Sequence, residues 1–227
     1  MKLAVVIPAY NEEGTIQAVI DDVHRLTTEV FVVDDGSIDN TPLLARATGA
    51  RVIQHIVNRG LGGALGTGIQ AALNQGADII VTFDADGQHQ ASDIAKLIKP
   101  IQEGQADVVI GSRMIDKDKT RQMPAIRRFY NWLGNRVTFF LFGIRTSDSQ
   151  SGLRAFSRIA AQKLEIRSNK MEVSSELIYE IKRHGFRFIE IPIESIYTQY
   201  SMSKPTGQNL ITGIKTFLRL LFLRIIK

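Results

Sequence analysis

The sequence contains no cysteine, which excludes disulfide bonds and thiolate metal sites. It shows no signal-peptide pattern either, because the apolar stretch Leu3–Ala9 is interrupted by Pro8 and followed by Asn11-Glu12-Glu13. It has no P-loop signature and no nucleic-acid recognition motif, and its basic residues are dispersed. These absences favour a cytoplasmic protein that does not bind nucleic acid.

What is present is typical of a soluble globular chain. The 227 residues are 44% hydrophobic and 22% charged, enough for one domain with a sizeable core. The net charge of +5 could favour anionic substrates or an anionic membrane surface, although a solvated face of lysine and arginine is the commoner explanation.

Short apolar runs alternate with helix-length segments along the first half. The runs are rich in β-branched residues, as expected of strands buried on both faces, and the β-α-β-α order predicts a mostly parallel sheet. The second half is less regular. The predicted strands are Leu3–Ile7, Val30–Val33, Val52–His55, Ile79–Phe83, Val108–Ile110 and Phe186–Ile191, and the predicted helices are Thr15–Arg25, Pro42–Thr48, Leu61–Asn74, Ser92–Gln102, Ala125–Phe142 and Val173–His184.

Two carboxylates follow the predicted strand Ile79–Phe83. Asp84 and Asp86, one residue apart, would lie at the carboxyl edge of the sheet, where open α/β sheets bind ligands. Carboxylate oxygens suit Mg²⁺ or Mn²⁺, which often share their coordination with phosphates. An ordinary turn that ends at Gly87 is the alternative.

Three further segments at strand ends offer binding groups. In Pro8–Glu13, Tyr10 could stack on a base and Glu12 could accept hydrogen bonds from a ribose or base; a capped helix start is the alternative. Asp34-Asp35-Gly36-Ser37 could likewise accept from a nucleoside, or form a tight turn. The glycines of Asn58–Ala64 precede a helix whose N-terminus could favour a phosphate.

Taken together, these segments resemble the family 2 glycosyltransferases, in the family's order and spacing over most of residues 1–200. Two of the later segments are most similar to the dolichyl- and polyprenyl-phosphate sugar transferases. The matching segments are Val6–Glu13, Val33–Ser37, Asn58–Gly60, Asp84–His89, Gly111–Arg113 and Ser151–Phe156.

The resemblance implies a GT-A fold, an α/β architecture with a Rossmann-like, mostly parallel sheet and helices on both faces. It also implies a GDP- or UDP-sugar donor, a divalent cation (Mg²⁺ or Mn²⁺), a polyprenyl-phosphate acceptor and inversion by single displacement. By position, the nucleotide sugar would be bound by Pro8, Tyr10, Glu12, Asp35, Asp84, Ala85, Arg113 and Arg127, and the metal by Asp84, Asp86 and Gln88.

Two further positions complete the expected site. Asp148 would lie near the reacting centre with Arg113, and would serve as a general base if the acceptor were a sugar hydroxyl. Lys204 would close over the phosphates, although the family's upstream arginine and preceding glycine are missing here. A glycan hydroxyl therefore stays open as the alternative acceptor.

The C-terminal segment is predicted to be separate from the catalytic domain, with a boundary between 1–204 and 205–227. The segment 209–227 is apolar and near the length of a membrane span, but Lys215, Arg219 and Arg224 make spanning costly, by roughly 2.5–3.5 kcal/mol for each central charge. An amphipathic helix at the cytoplasmic membrane face and a helix packed on protein are both open.

Two other protein classes share parts of this pattern. A sugar-nucleotide nucleotidyltransferase would need a glycine- and arginine-rich N-terminal loop, whereas this chain has Pro8–Asn11. A non-catalytic nucleotide-sugar-binding protein would have no need of Asp84, Asp86 and Arg113 together. The expected function is therefore that of a metal-dependent hexosyltransferase.

Overall fold

The computed structural model describes residues 1–116, 118, 120 and 123–196. Within these residues single strands and single helices alternate along most of the chain, and two helices precede the last strand. The strands are β1 Leu3–Ala9, β2 Val30–Asp34, β3 Arg51–Gln54, β4 Ile79–Thr82, β5 Val108–Ser112, β6 Arg154–Ser157 and β7 Phe188–Pro192, and the helices are α1 Ile16–His24, α2 Thr41–Ala47, α3 Leu61–Asn74, α4 Asp93–Gln102, α5 Ala125–Phe142, α6 Arg158–Lys163 and α7 Val173–Arg183.

The strands form one seven-stranded sheet in the order β3-β2-β1-β4-β6-β5-β7. Every pairing is parallel except those of β6, which runs antiparallel between β4 and β5. The mostly parallel sheet confirms the prediction from the β-α-β-α order. Strand β6 and helix α6 were not predicted, because four residues with a leading arginine give no strand periodicity.

Apolar cores lie on both faces of the sheet. All residues of β2, β4 and β5 are buried, which explains their nearly continuous apolar sequence. One core includes Ile20 of α1 and Leu97 of α4, and the other includes Ile69 of α3 and Leu177 of α7. None of the described helices is long and apolar enough to cross a membrane.

Helix α2 begins one residue earlier than predicted. The predicted helix starts at Pro42, but Thr41 is already helical and Asn40 is the N-cap. The Thr41 hydroxyl instead donates to Asp39 Oδ1 at 2.5 Å, and its oxygen accepts from the backbone N–H of Glu12 at 2.7 Å. This side chain therefore ties the loop after β1 to the loop after β2.

The topology brings the chemically important loops to one edge of the sheet. Strands β1, β2, β4 and β5 run in the same direction, so the residues that follow them emerge together. Strand β6 runs the opposite way and pairs Arg154 with Thr82. Its reversed direction delivers the preceding loop, which contains Asp148 and Gly152, to that same edge.

Candidate active site

The turn after β4 places two carboxylates at this edge. Asp84 is partly accessible, with 35% of its side chain exposed. Asp86 accepts hydrogen bonds from Gln88, at 3.0 Å from the backbone N–H and at 2.7 Å from the side-chain amide. Gly87 has a φ of +72°, which lets the chain turn back between Asp86 and Gln88. The turn and the carboxylate pair therefore coexist, and the two interpretations of this segment do not compete.

His89 orients the first of these carboxylates. Its Nε2 lies 3.1 Å from Asp84 Oδ2, and its ring meets the Phe83 ring edge-on at a centroid distance of 5.7 Å. A histidine buried in this way fixes which oxygen of Asp84 stays turned toward the protein. His89 follows directly after Gln88 in the acidic segment but is not among the predicted site residues.

The electrostatics of the pair fit a bound cation. Burial and the neighbouring negative charge of Asp84 raise the pKa of Asp86 to about 6 from its ordinary 3.8. Partial burial opposes ionisation of Asp84 too, but the hydrogen bond from His89 and the nearby positive charges outweigh it and lower the pKa of that group. Because the two carboxylates repel each other when both are ionised, a divalent cation that prefers oxygen ligands would stabilise their ionised forms.

Gly152 makes room for Asp84. A Cβ at position 152 would lie 2.1–2.2 Å from both carboxylate oxygens of Asp84, far inside contact distance. The Thr82 hydroxyl donates to the Gly152 carbonyl at 2.7 Å, which holds the two segments together. The glycine of the Ser151–Phe156 segment is therefore needed to seat the Asp84 carboxylate.

Asp148 and Arg113 form a buried pair beside the acidic turn. Arg113 donates from Nε to Asp148 Oδ2 at 2.7 Å and from Nη2 to Oδ1 at 2.8 Å, a bidentate arrangement. The Arg113 backbone N–H adds a third bond at 3.1 Å, and Asn131 Nδ2 donates to Oδ1 at 2.7 Å. Asp148 is fully buried, whereas Arg113 is partly exposed.

In this conformation the surroundings of Asp148 do not favour a general-base role. Burial would raise the pKa of its carboxyl, but the Arg113 guanidinium and the hydrogen bonds from Arg113 and Asn131 outweigh burial and lower it. Both oxygens already accept strong hydrogen bonds, so a substrate hydroxyl has no open approach to them. Asp148 instead positions Arg113, whose side chain reaches the accessible edge.

The loop that carries Asp148 is also held by side chains from two strands. Glu190 on β7 accepts from the Thr146 hydroxyl at 2.6 Å and from the Ser147 backbone N–H at 2.8 Å. Arg154 on β6, itself almost fully buried, donates to the Ser149 carbonyl at 2.9 Å. Burial lowers the pKa of Arg154 to about 10, which leaves it charged at neutral pH near Asp84 and Asp148.

Arg127 and Gln88 also meet at the site. Arg127 Nη1 donates to the Gln88 side-chain oxygen at 2.9 Å. Because that oxygen is engaged and the amide nitrogen donates to Asp86, Gln88 links Asp86 to Arg127 in this conformation. A metal-ligand role for Gln88 would require Arg127 to release it.

The carboxylate of Asp35 is committed to the protein. Its Oδ1 accepts from the Arg59 backbone N–H at 2.9 Å and lies 2.7 Å from His55 Nδ1, and its Oδ2 accepts from the Gly60 N–H at 2.7 Å. Gly62 N–H, in the first turn of α3, donates to the Asn169 carbonyl at 2.9 Å. The amides of Gly60 and Gly62 are therefore not left for a phosphate, and that interpretation of the glycine-rich segment is wrong for them.

The remaining nucleotide-binding candidates differ in their placement. The Tyr10 ring is 46% exposed, and Pro8 lies near the end of β1. The Glu12 carboxylate lies 3.1 Å from the Thr15 hydroxyl oxygen. Ala85 is buried, and its carbonyl accepts from the same hydroxyl at 2.8 Å, so this residue shapes the turn.

The structure thus brings together six of the predicted residues and adds four others. Contacts of the remaining predicted residues with a nucleotide stay predictions, and Lys204 and the segments 205–227 and 209–227 lie outside the described residues. Asn131 could have been found from its position four residues after Arg127 on one helix face. The residues brought together are Asp84, Asp86, Gln88, Arg113 and Arg127 with Asp148, and those added are His89, Asn131, Gly152 and Arg154.

An open, mostly parallel sheet with acidic and basic side chains at its carboxyl edge defines a class of α/β protein that binds ligands at that edge. The family described as Glycosyl transferase family 2 matches residues 4–165. The chain belongs to this family, and its fold is the predicted GT-A fold.

Named relatives cover nearly the whole chain. The UDP-N-acetylglucosamine–dolichyl-phosphate N-acetylglucosaminyltransferase of Methanococcus voltae is 39% identical, over 96% of this chain and 94% of the relative. The polyprenol monophosphomannose synthase of Mycolicibacterium smegmatis is 31% identical, over 91% and 82%. The chain is therefore a family 2 glycosyltransferase related to polyprenyl-phosphate sugar transferases.

Solved structures agree on the fold. Glucosyl-3-phosphoglycerate synthase from Mycobacterium tuberculosis, in complex with Mn²⁺, UDP-glucose and phosphoglyceric acid, superposes with a TM-score of 0.70 at 24% identity, over 98% of this chain and 79% of that chain. The same enzyme has been solved with Mg²⁺ and UDP.

Proposed function

We propose that the protein transfers a hexose from a nucleotide-diphosphate sugar to a polyprenyl-type phosphate, with inversion at the anomeric carbon and with Mg²⁺ or Mn²⁺ as cofactor. The donor would be a UDP- or GDP-sugar. The relatives support the kind of acceptor, since their names include dolichyl phosphate and polyprenol monophosphomannose. Mn²⁺ and Mg²⁺ in the nucleotide complexes of the structural neighbour support the kind of cofactor.

The observation that carries this proposal is the buried pair of Asp148 and Arg113. A sugar hydroxyl must lose its proton during transfer and needs a general base. Asp148, the carboxylate predicted for that task, has both oxygens engaged and is fully buried. A phosphate monoester loses its second proton with a pKa near 6, so its oxygen is already a nucleophile at neutral pH. The geometry therefore favours an acceptor that needs cations more than a base.

The transfer step balances without a proton donor. An oxygen of the phosphate dianion forms a bond to the anomeric carbon as the bond from that carbon to the nucleoside diphosphate breaks, leaving a sugar phosphodiester and the free nucleoside diphosphate. Asp84 and Asp86 would hold the divalent cation, which supplies Lewis-acid stabilisation of the leaving diphosphate. Arg113, fixed by Asp148, and Arg127, fixed by Gln88, would place positive charge near the phosphates.

The proposal includes a domain layout and a location in the cell. Residues 1–204 would form the catalytic domain, and 205–227 a separate C-terminal segment. A polyprenyl phosphate is held in a bilayer, so the enzyme would work at the cytoplasmic face of the membrane as a peripheral protein.

The test is an acceptor competition with the full chain and Mn²⁺. UDP- and GDP-sugars are each offered with a short-chain polyprenyl phosphate, with the corresponding polyprenol, and with an oligosaccharide. We expect transfer to the polyprenyl phosphate alone, and EDTA should abolish this transfer. NMR should show that the anomeric configuration of the product is opposite to that of the donor sugar. Transfer to the oligosaccharide but not to the phosphate would establish the alternative, a glycan hydroxyl acceptor. Donor binding without transfer or donor hydrolysis would indicate a non-catalytic sugar-nucleotide-binding protein.

A further inference from the structure

Strand β7 carries a carboxylate where its alternation predicts an apolar side chain. Successive side chains of a strand point to opposite faces of the sheet. Ile189 and Ile191 pack against the core that contains α1 and α4, and Phe188 packs against the core that contains α3 and α7. Glu190 therefore lies on the same face as Phe188, and a charged group beside an apolar core needs specific hydrogen-bond partners.

The partners of this carboxylate belong to the loop that leads into Asp148. Glu190 accepts from the Thr146 hydroxyl at 2.6 Å, and its two oxygens accept from the Ser147 backbone N–H at 2.8 and 3.0 Å. The backbone nitrogen of Asp148 lies 3.4 Å from Glu190 Oε1. Hydrogen bonds to an ionised carboxylate are stronger than those between neutral groups. Glu190 therefore fixes the backbone directly before Asp148.

Helix α5 holds the same loop on both sides of Asp148. Asn135 Nδ2 donates to the Ser147 carbonyl at 2.6 Å, and Asn135 Oδ1 accepts from the Ser149 backbone N–H at 2.8 Å. A single amide thus bridges the residues before and after Asp148. Together with Glu190 on β7, it leaves the backbone at this position little freedom to move.

Two consecutive residues of the loop pair with two consecutive residues at the end of β5. The Ser147 hydroxyl donates to the Ser112 hydroxyl at 2.7 Å, and the Asp148 carboxylate accepts the bidentate bonds from Arg113. A shift of the loop would therefore move both the residue before Arg113 and the group that holds its guanidinium. Glu190, which anchors the loop, lies on the strand that pairs with β5.

We propose that Glu190 is a positioning residue that sets the place of the Arg113 guanidinium through Asp148. Arg113 lies at the accessible edge of the site, with 18% of its side chain exposed. A fixed charge assists a reaction only where it is held in place, and a displacement of about 1 Å can lower a rate roughly a hundredfold. The effect on transfer rests on the proposed function, whereas the placement of Arg113 does not.

The first test follows the Arg113 guanidinium without any substrate. In the ¹⁵N-labelled full chain, the Nε–H signal of Arg113 is assigned by its absence from Arg113→Gln, and its exchange with water is measured by NMR. Glu103→Gln is the matched control, because the Glu103 side chain is 44% exposed at the end of α4. We expect about tenfold faster exchange in Glu190→Gln, because a charge-assisted acceptor is lost, and the wild-type rate in Glu103→Gln.

Exchange of the backbone N–H groups of β1 and β2 separates positioning from general stability. These strands lie toward the far end of the sheet from β7, so their exchange should be unchanged in Glu190→Gln. Equal acceleration of the Arg113 signal and of these strands would show that Glu190 only stabilises the fold, and would overturn the proposal. An Arg113 signal with the wild-type rate would overturn it as well.

Thr146→Val approaches the same contact from the other side. It removes the hydroxyl that donates to Glu190 and leaves the carboxylate in place. We expect the Arg113 signal to exchange faster than in wild type, by a smaller factor than in Glu190→Gln. If Glu190→Gln does not fold, this variant decides the question, and a wild-type rate of exchange in it would overturn the proposal.

A double-mutant cycle tests the consequence for transfer. Residues that act through one another have non-additive effects, so Glu190→Gln should lower kcat about tenfold in the wild-type background and less than about twofold in Arg113→Gln. The affinity for Mn²⁺ should stay the same. Equal losses of kcat in both backgrounds would contradict the proposal. If the wild type transfers no sugar, the proposed function fails, and the exchange of the Arg113 signal still decides the positioning role.

Discussion

The turns after β2 and β4 look alike in sequence and differ in what their carboxylates do. Each has two aspartates beside a glycine at the end of a buried strand. Asp35 meets two backbone N–H groups and a histidine, and it is almost inaccessible. Asp84 is 35% exposed and sits near Asp86, whose pKa is raised to about 6. In the first turn, neighbouring hydrogen-bond donors occupy the Asp35 carboxylate, whereas the second turn keeps two carboxylates together at an accessible edge, where a cation could bind.

The difference teaches that an acidic turn must be judged by the donors around it. Where the backbone N–H groups of a neighbouring loop converge on a carboxylate, the charge organises that loop. Where a second carboxylate is the neighbour, ionisation costs free energy that a divalent ion can recover. The expected effects of mutation therefore differ between the turns.

The largest effect is expected from Asp84→Asn. Removing one carboxylate of the pair should lower kcat/KM for sugar transfer by about a thousandfold or more, since metal stabilisation of a leaving group is worth several kcal/mol. The melting temperature should change little. Asp22→Asn, at a position with 56% side-chain exposure, is the matched control and should keep full activity. Activity of Asp84→Asn within tenfold of wild type would refute the assignment.

Gly152→Ala should impair the same carboxylate without removing it. Its Cβ would overlap Asp84, displacing the carboxylate and lowering transfer by roughly a hundredfold, an effect of about 3 kcal/mol. Gly66→Ala is the control, because its Cβ would meet nothing within 4 Å and alanine favours a helix. In Gly152→Ala, kcat/KM for transfer and the affinity for Mn²⁺ should fall together. Normal Mn²⁺ binding by this variant would show that Asp84 tolerates displacement.

Asp35→Asn should mainly affect stability. The asparagine side chain can place its NH₂ group against the backbone N–H groups of Arg59 and Gly60 and carries no charge. The free energy of unfolding in urea should therefore be about 2–4 kcal/mol lower than in wild type. If Asp35 also binds the nucleoside, as predicted, the KM for the donor rises as well. Unchanged stability together with a raised KM would mean that Asp35 acts chiefly on the ligand.

The smallest effect is a gain in stability from Asp86→Asn. The folded-state pKa of Asp86 is raised to about 6, so folding is favoured while this group is protonated and loses that advantage as the pH rises from about 4 through 6. In chelator-treated protein, the variant should melt a few degrees higher than wild type at pH 7.5 and at nearly the same temperature below pH 4. A variant that melts lower than wild type at pH 7.5 would contradict the raised pKa.

The parallel part of the fold could be predicted because its strands are buried on both faces. Strands β1, β2, β4 and β5 have continuous β-branched sequences, and each predicted run overlaps the observed one. Strand β6 could not be predicted, because Arg154 is buried there by contacts with the loop before it. Its reversed direction, which brings Asp148 and Gly152 to the site, is a tertiary feature with no local signal.

The candidate site was predictable in its residue types and less so in their roles. Asp84, Asp86 and Arg113 follow strand ends, and parallel topology alone brings them together. The sequence could not show that Asp148 is enclosed by Arg113 and Asn131, since that depends on how α5 packs across the edge. For this reason we propose that Asp148 positions Arg113, whereas the sequence suggested a general base only for a sugar-hydroxyl acceptor.

The most direct test of the central claim is the affinity for Mn²⁺ in the presence of UDP, measured by electron paramagnetic resonance of free Mn²⁺ in wild type and the three variants of the two turns. The account predicts that Asp84→Asn and Asp86→Asn lose most of the binding and that Asp35→Asn, kept below its melting temperature, retains it. Loss in Asp35→Asn with retention in Asp84→Asn and Asp86→Asn would contradict the account and place the cation at the other turn.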